Sequence, residues 1–105
     1  MSDNKEQIKR IQQMERRLER ALAAVKRLSA ALDKYEAAQH DIAILNEYYG
    51  SDLWRQDFAD DEAGRLPEGL KRGVLSEDGI WNMLTDCNEL NECLRLMARK
   101  LGKKQ

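Results

Sequence analysis

With 105 residues, 35% of them charged and only 6% aromatic, the chain has room for one domain with a modest core, and its composition suits solvated helices better than a β-sandwich. A net charge of −1 and a pI near 5.9 remove any global electrostatic case for nucleic acid or an anionic membrane as partner. The opening MSDNKEQIKR has no apolar stretch, no run approaches the roughly 20 apolar residues that cross a bilayer, and the cysteines lack an export signal, so a soluble, reduced, cytoplasmic protein is expected.

Residues 3–49 contain neither Gly nor Pro. Apolar side chains recur there in alternating steps of three and four: Ile11, Met14, Leu18, Ala21, Val25, Leu28, Leu32, Tyr35, Ile42 and Tyr49. Gln39 and Asn46 occupy the same register, and Ile8 and Leu22 widen the stripe at its flank. A heptad sustained this long predicts one coiled-coil-like helix, filled out by good helix formers and closed by Gly50 as a left-handed cap.

Residues 50–75 hold four of the six glycines (Gly50, Gly64, Gly69, Gly73) and the single proline, Pro67. Ser51 is placed to cap a short helix carrying Leu53, Trp54 and Phe58, which Gly64 stops. Pro67 suits the first position of another short helical turn, ended by Gly73. Ser76 then reads as the N-cap of a helix over 76–102, with Glu77 and Asp78 in its first turn and Leu75 stapled to Ile80. Trp81, Met83, Leu84, Cys87, Leu90, Leu94, Met97 and Leu101 continue its apolar face, and Arg95, Arg99, Lys100, Lys103 and Lys104 gather at its end. The fold predicted is all-α: a single domain with a long N-terminal helix, short central helical segments and an antiparallel return helix, together a helical hairpin.

The two long helices differ in length. At about 1.5 Å per residue the first spans roughly 65–70 Å and the last about 40 Å. A return helix folded back from the turn therefore leaves the seam at Ile11, Met14, Leu18, Leu22 and Val25 without an intrachain partner. Self-association as a homodimer is the simplest cover for such a stripe, since no Gly or Pro breaks the helix so that it could fold on itself.

Few residues carry reactive chemistry. His40 is the single histidine and lies off the seam, which suits a surface residue. Cys87 and Cys93 are six apart, on different helix faces, and form no metal-ligand pattern. The acidic run DFADDE places Asp57 and Asp61 one turn apart with Asp60 and Glu62 beside them, a set that hard divalent cations accept. All-α nucleotide pyrophosphohydrolases build such sites from two ExxE-like pairs; Glu89 and Glu92 supply one, and the second is missing. LKRG lacks the glycine spacing of a phosphate loop, so Lys71 or Arg72 is expected to pair with the acidic cluster. Tyr48, Tyr49, Trp54, Phe58 and Trp81 read as a core plug at the turn.

The segments YYGS, DDEAG, LP and LKRGVLSED, between a heptad helix and an amphipathic one, resemble an uncharacterised bacterial family of small helical proteins, a domain of unknown function. The resemblance spans nearly the whole chain. It implies a bacterial cytoplasmic origin and a helical fold, and it carries over no catalytic residue and no cofactor. The expected function is a non-enzymatic interaction or adaptor module that self-associates through its long helix. Its partner surface would be Tyr48, Tyr49, Trp54, Asp57, Asp61, Lys71 and Arg72. A small metal-dependent or nucleotide-binding enzyme using Asp57, Asp60, Asp61 and Glu62 is the alternative; nucleic-acid binding by the basic C-terminal end is a weaker third, which the neutral charge balance opposes.

Overall fold

The computed structural model describes residues 2–102, with side chains from residue 4. It is all-α, with no strand among the described residues: α1 (Ser2–Tyr48), α2 (Asp52–Glu62), a 3₁₀ turn (Gly73–Leu75) and α3 (Gly79–Gly102). Lys103 and Lys104 of the basic end lie outside the described residues. The chain divides into two compact units, one ending at Gln39 and one beginning at His40.

The first unit is α1 alone, where uninterrupted Ala, Leu, Lys, Arg, Glu and Gln keep the helix regular. Its apolar stripe is uncovered: Ile8, Ile11, Met14, Leu18, Leu22, Val25, Leu28 and Leu32 expose between 41% and 69% of their surface. Polar Gln39 on the same register turns its amide to the Tyr35 carbonyl one turn back, at 3.1 Å.

The second unit begins with the last turns of α1, where Gly50 takes the left-handed conformation at φ +79°. Ser51, extended at φ −71° and ψ 168°, caps α2: its Oγ accepts the Trp54 N–H at 3.2 Å while its hydroxyl donates to the Tyr48 carbonyl at 2.6 Å. Gly64, at φ +73°, ends α2 in a Schellman arrangement, with Arg65 N–H on the Asp60 carbonyl at 2.9 Å and Gly64 N–H on the Asp61 carbonyl at 3.0 Å. These caps lie where local side-chain chemistry puts them.

Two expectations need correction. The helical turn from Pro67 to Gly73 does not form; a single turn closes, Leu70 N–H to the Pro67 carbonyl at 3.2 Å, and Gly73 opens the 3₁₀ turn instead of ending a helix. Arg72 supplies the reason, because its Nη2 donates to the Leu66 carbonyl at 3.4 Å and to that of Pro67, acceptors that a continued helix would have used itself. The last helix starts at Gly79, not at Ser76. Ser76 still caps, but as a clamp: its hydroxyl donates to the Gly73 carbonyl at 2.7 Å while its Oγ accepts the Gly79 N–H at 3.0 Å. The first α-helical bond runs from Asn82 N–H to the Asp78 carbonyl at 2.8 Å, so Glu77 and Asp78 precede the helix.

That clamp leaves no room for a side chain at Gly79, where a Cβ would meet the Gly73 carbonyl oxygen at 2.3 Å and Ser76 Oγ at 2.6 Å. Leu75 and Ile80, on either side of the clamp, are the buried hydrophobic core, 6% and 3% exposed. Both residues of the expected hydrophobic staple are thus buried although the helix starts later. Leu45 of α1 shares an apolar recess of about 400 Å³ with Val74, Ile80 and Met83, which sets the start of α3 beside the end of α1.

Candidate functional site

The acidic, aromatic segment is organised by α2. Trp54 lies edge-on to Tyr49 (centroids 5.2 Å apart, planes at 69°) and stacks on Phe58 at 5.3 Å and 25°. Its Nε1 donates to the Val74 carbonyl at 2.9 Å, which ties α2 to the 3₁₀ turn. The expected aromatic plug therefore exists as Tyr49, Trp54 and Phe58, all half-buried. Trp81 is not part of it: it is 57% exposed, although Ile80 before it is buried.

Asp57 and Asp61, one turn apart on α2, do not act together. Tyr48 donates its hydroxyl to Asp57 Oδ2 at 2.6 Å, whereas Asp61 Oδ1 takes Arg72 Nη1 at 3.1 Å. Asp60 pairs with Arg65 at 2.8 Å and Asp52 with Arg55 at 3.0 Å. The Arg55 pair is solvated on both sides and contributes little, whereas both partners of the Arg72 pair are largely shielded. Burial and three directed contacts make Arg72 the organiser of the loop, and its Nε is enclosed without a hydrogen-bond partner.

With each aspartate claimed by a different cation or phenol, no group of three or more His, Cys, Asp or Glu converges as a metal site among the described residues. Glu92 is engaged with Arg95 at 2.9 Å. His40 is exposed, Cys87 is half-buried and accepts from Asn91 Nδ2 at 3.8 Å, and Cys93 is exposed; neither cysteine forms a disulfide. Lys71 forms part of the apolar recess and not of the acidic face. Between α2 and the clamp lies a polar cleft of about 510 Å³, lined by Phe58, Asp61, Glu62, Arg72, Ser76 and Glu77 with Leu75 at its floor. Three carboxylates against one arginine, itself spent on Asp61 and two carbonyls, leave this cleft acidic and suited to cationic side chains.

Burial, then the bond to Asp57 and its charge, raise the Tyr48 phenol from near 10 to about 12. The group is neutral in its folded acid form. Its stabilising contribution is therefore complete below pH 10 and is lost as pH rises through about 12. In an alkaline titration followed by phenolate absorbance, the amplitude that Tyr48→Phe removes should belong to a late component near pH 12; if the amplitude removed instead rises near pH 10, the contact is refuted.

The comparisons with known proteins meet this geometry at one point: the family model DUF4298, a domain of unknown function, matches residues 11–96. The chain belongs to the DUF4298 family. The match runs from Ile11 at the seam through α2, the clamp and most of α3, so the exposed stripe from Ile11 onward and the acidic cleft are both inside the family domain. Of the basic end, Arg95 falls within the match, while Arg99 and Lys100 lie beyond it. No curated protein and no solved structure matches the chain.

Sequence reasoning named Tyr48, Asp57, Asp61 and Arg72 and expected Lys71 or Arg72 to pair with the acidic cluster, as Arg72 does on Asp61; it missed the Tyr48–Asp57 bond, Gly79 and Ser76's second bond. A glycine three residues after a capping serine was the available signal.

Proposed function

We propose that this DUF4298 protein is a non-enzymatic interaction module that forms a coiled-coil homodimer through Ile11, Met14, Leu18, Leu22 and Val25. The observation that carries this reading is the uncovered heptad stripe of α1, eight large apolar side chains in helical register with none buried. A stripe of this length on a single helix is unstable in water without a partner, because isolated helices draw little stability from propensity alone. At the other end of the chain, Tyr48, Tyr49, Trp54, Asp57, Asp61, Lys71 and Arg72 frame the adaptor surface, whose acidic cleft favours a basic protein segment. A bacterial cytoplasm is the setting this reading takes, in keeping with the family resemblance; no helix is long and apolar enough to cross a membrane among the described residues. The enzymatic alternative lacks support from the carboxylates, which are held apart by separate partners.

Sedimentation velocity across a micromolar dilution series tests the reading. A dimer that dissociates on dilution, with helicity falling in step, is the expected result; a monomer at every concentration with undiminished helicity would overturn it.

A further inference from the structure

We propose, resting on that self-association, that the two copies pair parallel and in register, with Arg10 of each copy against Glu15 of the other. The flanks of the exposed stripe decide the direction. Taking Ile11, Leu18, Val25 and Leu32 as a and Met14, Ala21 and Leu28 as d, the charged residues at g are Arg10 and Arg17, and those at e are Glu15 and Glu36. Arg10, Arg17, Glu15 and Glu36 are all exposed on α1.

An antiparallel pair sets g against g and e against e. Along the stretch from Arg10 to Glu36 every charged g residue is basic and every charged e residue acidic, so an antiparallel pairing of that stretch brings no opposite charges together; the available contacts are like-charged or charge against neutral. A parallel pair in register sets each g against the e position five residues further along the other copy. Arg10 then meets Glu15 twice by symmetry, Arg17 lays its aliphatic stem on Leu22, and no like charges meet. The core residues of this stretch agree: the β-branched Ile11 and Val25 both sit at a, and none of Met14, Ala21 and Leu28 at d is β-branched, the distribution of parallel two-stranded coils. Residues five apart on one helix do not face each other, so Arg10 and Glu15 have no direct contact within a chain, and any coupling between them reports the pairing of copies.

The test uses the full-length chain and two variants, Arg10→Glu and Glu15→Arg. Each variant alone places like charges across the interface and is expected to self-associate roughly fivefold more weakly than the parent. Mixed together, they give a dimer with both pairs complementary. Native mass spectrometry of the mixture should then show the heterodimer well above its statistical half, and the double variant should regain parental association. A statistical mixture, or a double variant no better than the singles, overturns the parallel register while leaving self-association intact. A parent chain that stays monomeric removes both readings at once.

Discussion

Leu18→Glu should abolish self-association, raising the dissociation constant on the order of a thousandfold. Leu18 is 52% exposed in the single chain and central in the stripe. Covering a leucine contributes about 2 kcal/mol, twice over in a symmetric pair, and about 1.4 kcal/mol corresponds to each tenfold in affinity. The substituted glutamates would also face each other or be stripped of water, which adds to the loss. Glutamate is itself a good helix former, so the change acts on association and not on local propensity. Near-ultraviolet dichroism from the second unit should remain as in the parent, because the variant lies outside it. Sedimentation showing an undiminished dimer would mean that the seam is elsewhere.

Gly79→Ala should destabilise the second unit by about 2–3 kcal/mol, the range of overpacking in a rigid site, and lower its melting temperature by roughly 10–20 °C. The direction is opposite to what helix propensity predicts, since alanine inside a helix is favoured by about 1 kcal/mol. Steric contact decides the sign. The new Cβ would sit 2.3 Å from a backbone carbonyl, under the 3.0 Å that real Cβ contacts respect, and the neighbouring Ser76 hydroxyl is already committed in both directions. Relief requires moving the start of α3, and with it buried Ile80. Gly69→Ala is the control: a Cβ there meets nothing within 4 Å, so its melting temperature should stay near the parent's. A stabilised Gly79→Ala protein would show that the clamp is looser than described.

What was legible in advance follows from how local each cause is. The long helix was expected over 3–49 and runs Ser2–Tyr48, because propensity, heptad spacing and a glycine stop all act within a few residues. Ser51 and Gly64 were readable for the same reason. The turn at Pro67 was not, because what prevents a helix there is a guanidinium five residues away that reaches back to the carbonyls. Nor was the separation of Asp57 from Asp61: helical spacing puts them on one face, but Tyr48 lies across the Gly50 reversal and Arg72 across the Pro67 turn. Trp81 was grouped with the other aromatics by composition, while burial followed Ile80. Of the candidate surface, membership and an Arg72 pair with the acidic cluster were readable from clustered residue types; which aspartate Arg72 takes and the Tyr48–Asp57 bond were not, since they depend on which turn returns which side chain.

The two tryptophans sit in contrasting surroundings. Trp54 is stacked on Phe58 with its indole N–H satisfied by Val74, whereas Trp81 stands mostly in solvent. Their emission should therefore separate by wavelength and by quenching. Iodide would extinguish the red-shifted Trp81 component first and leave the blue-shifted Trp54 component, which then reports the seating of α2 on the clamp. Any partner that settles on the exposed side of α3 would shield Trp81 alone, whereas one entering the cleft beside Phe58 would perturb Trp54.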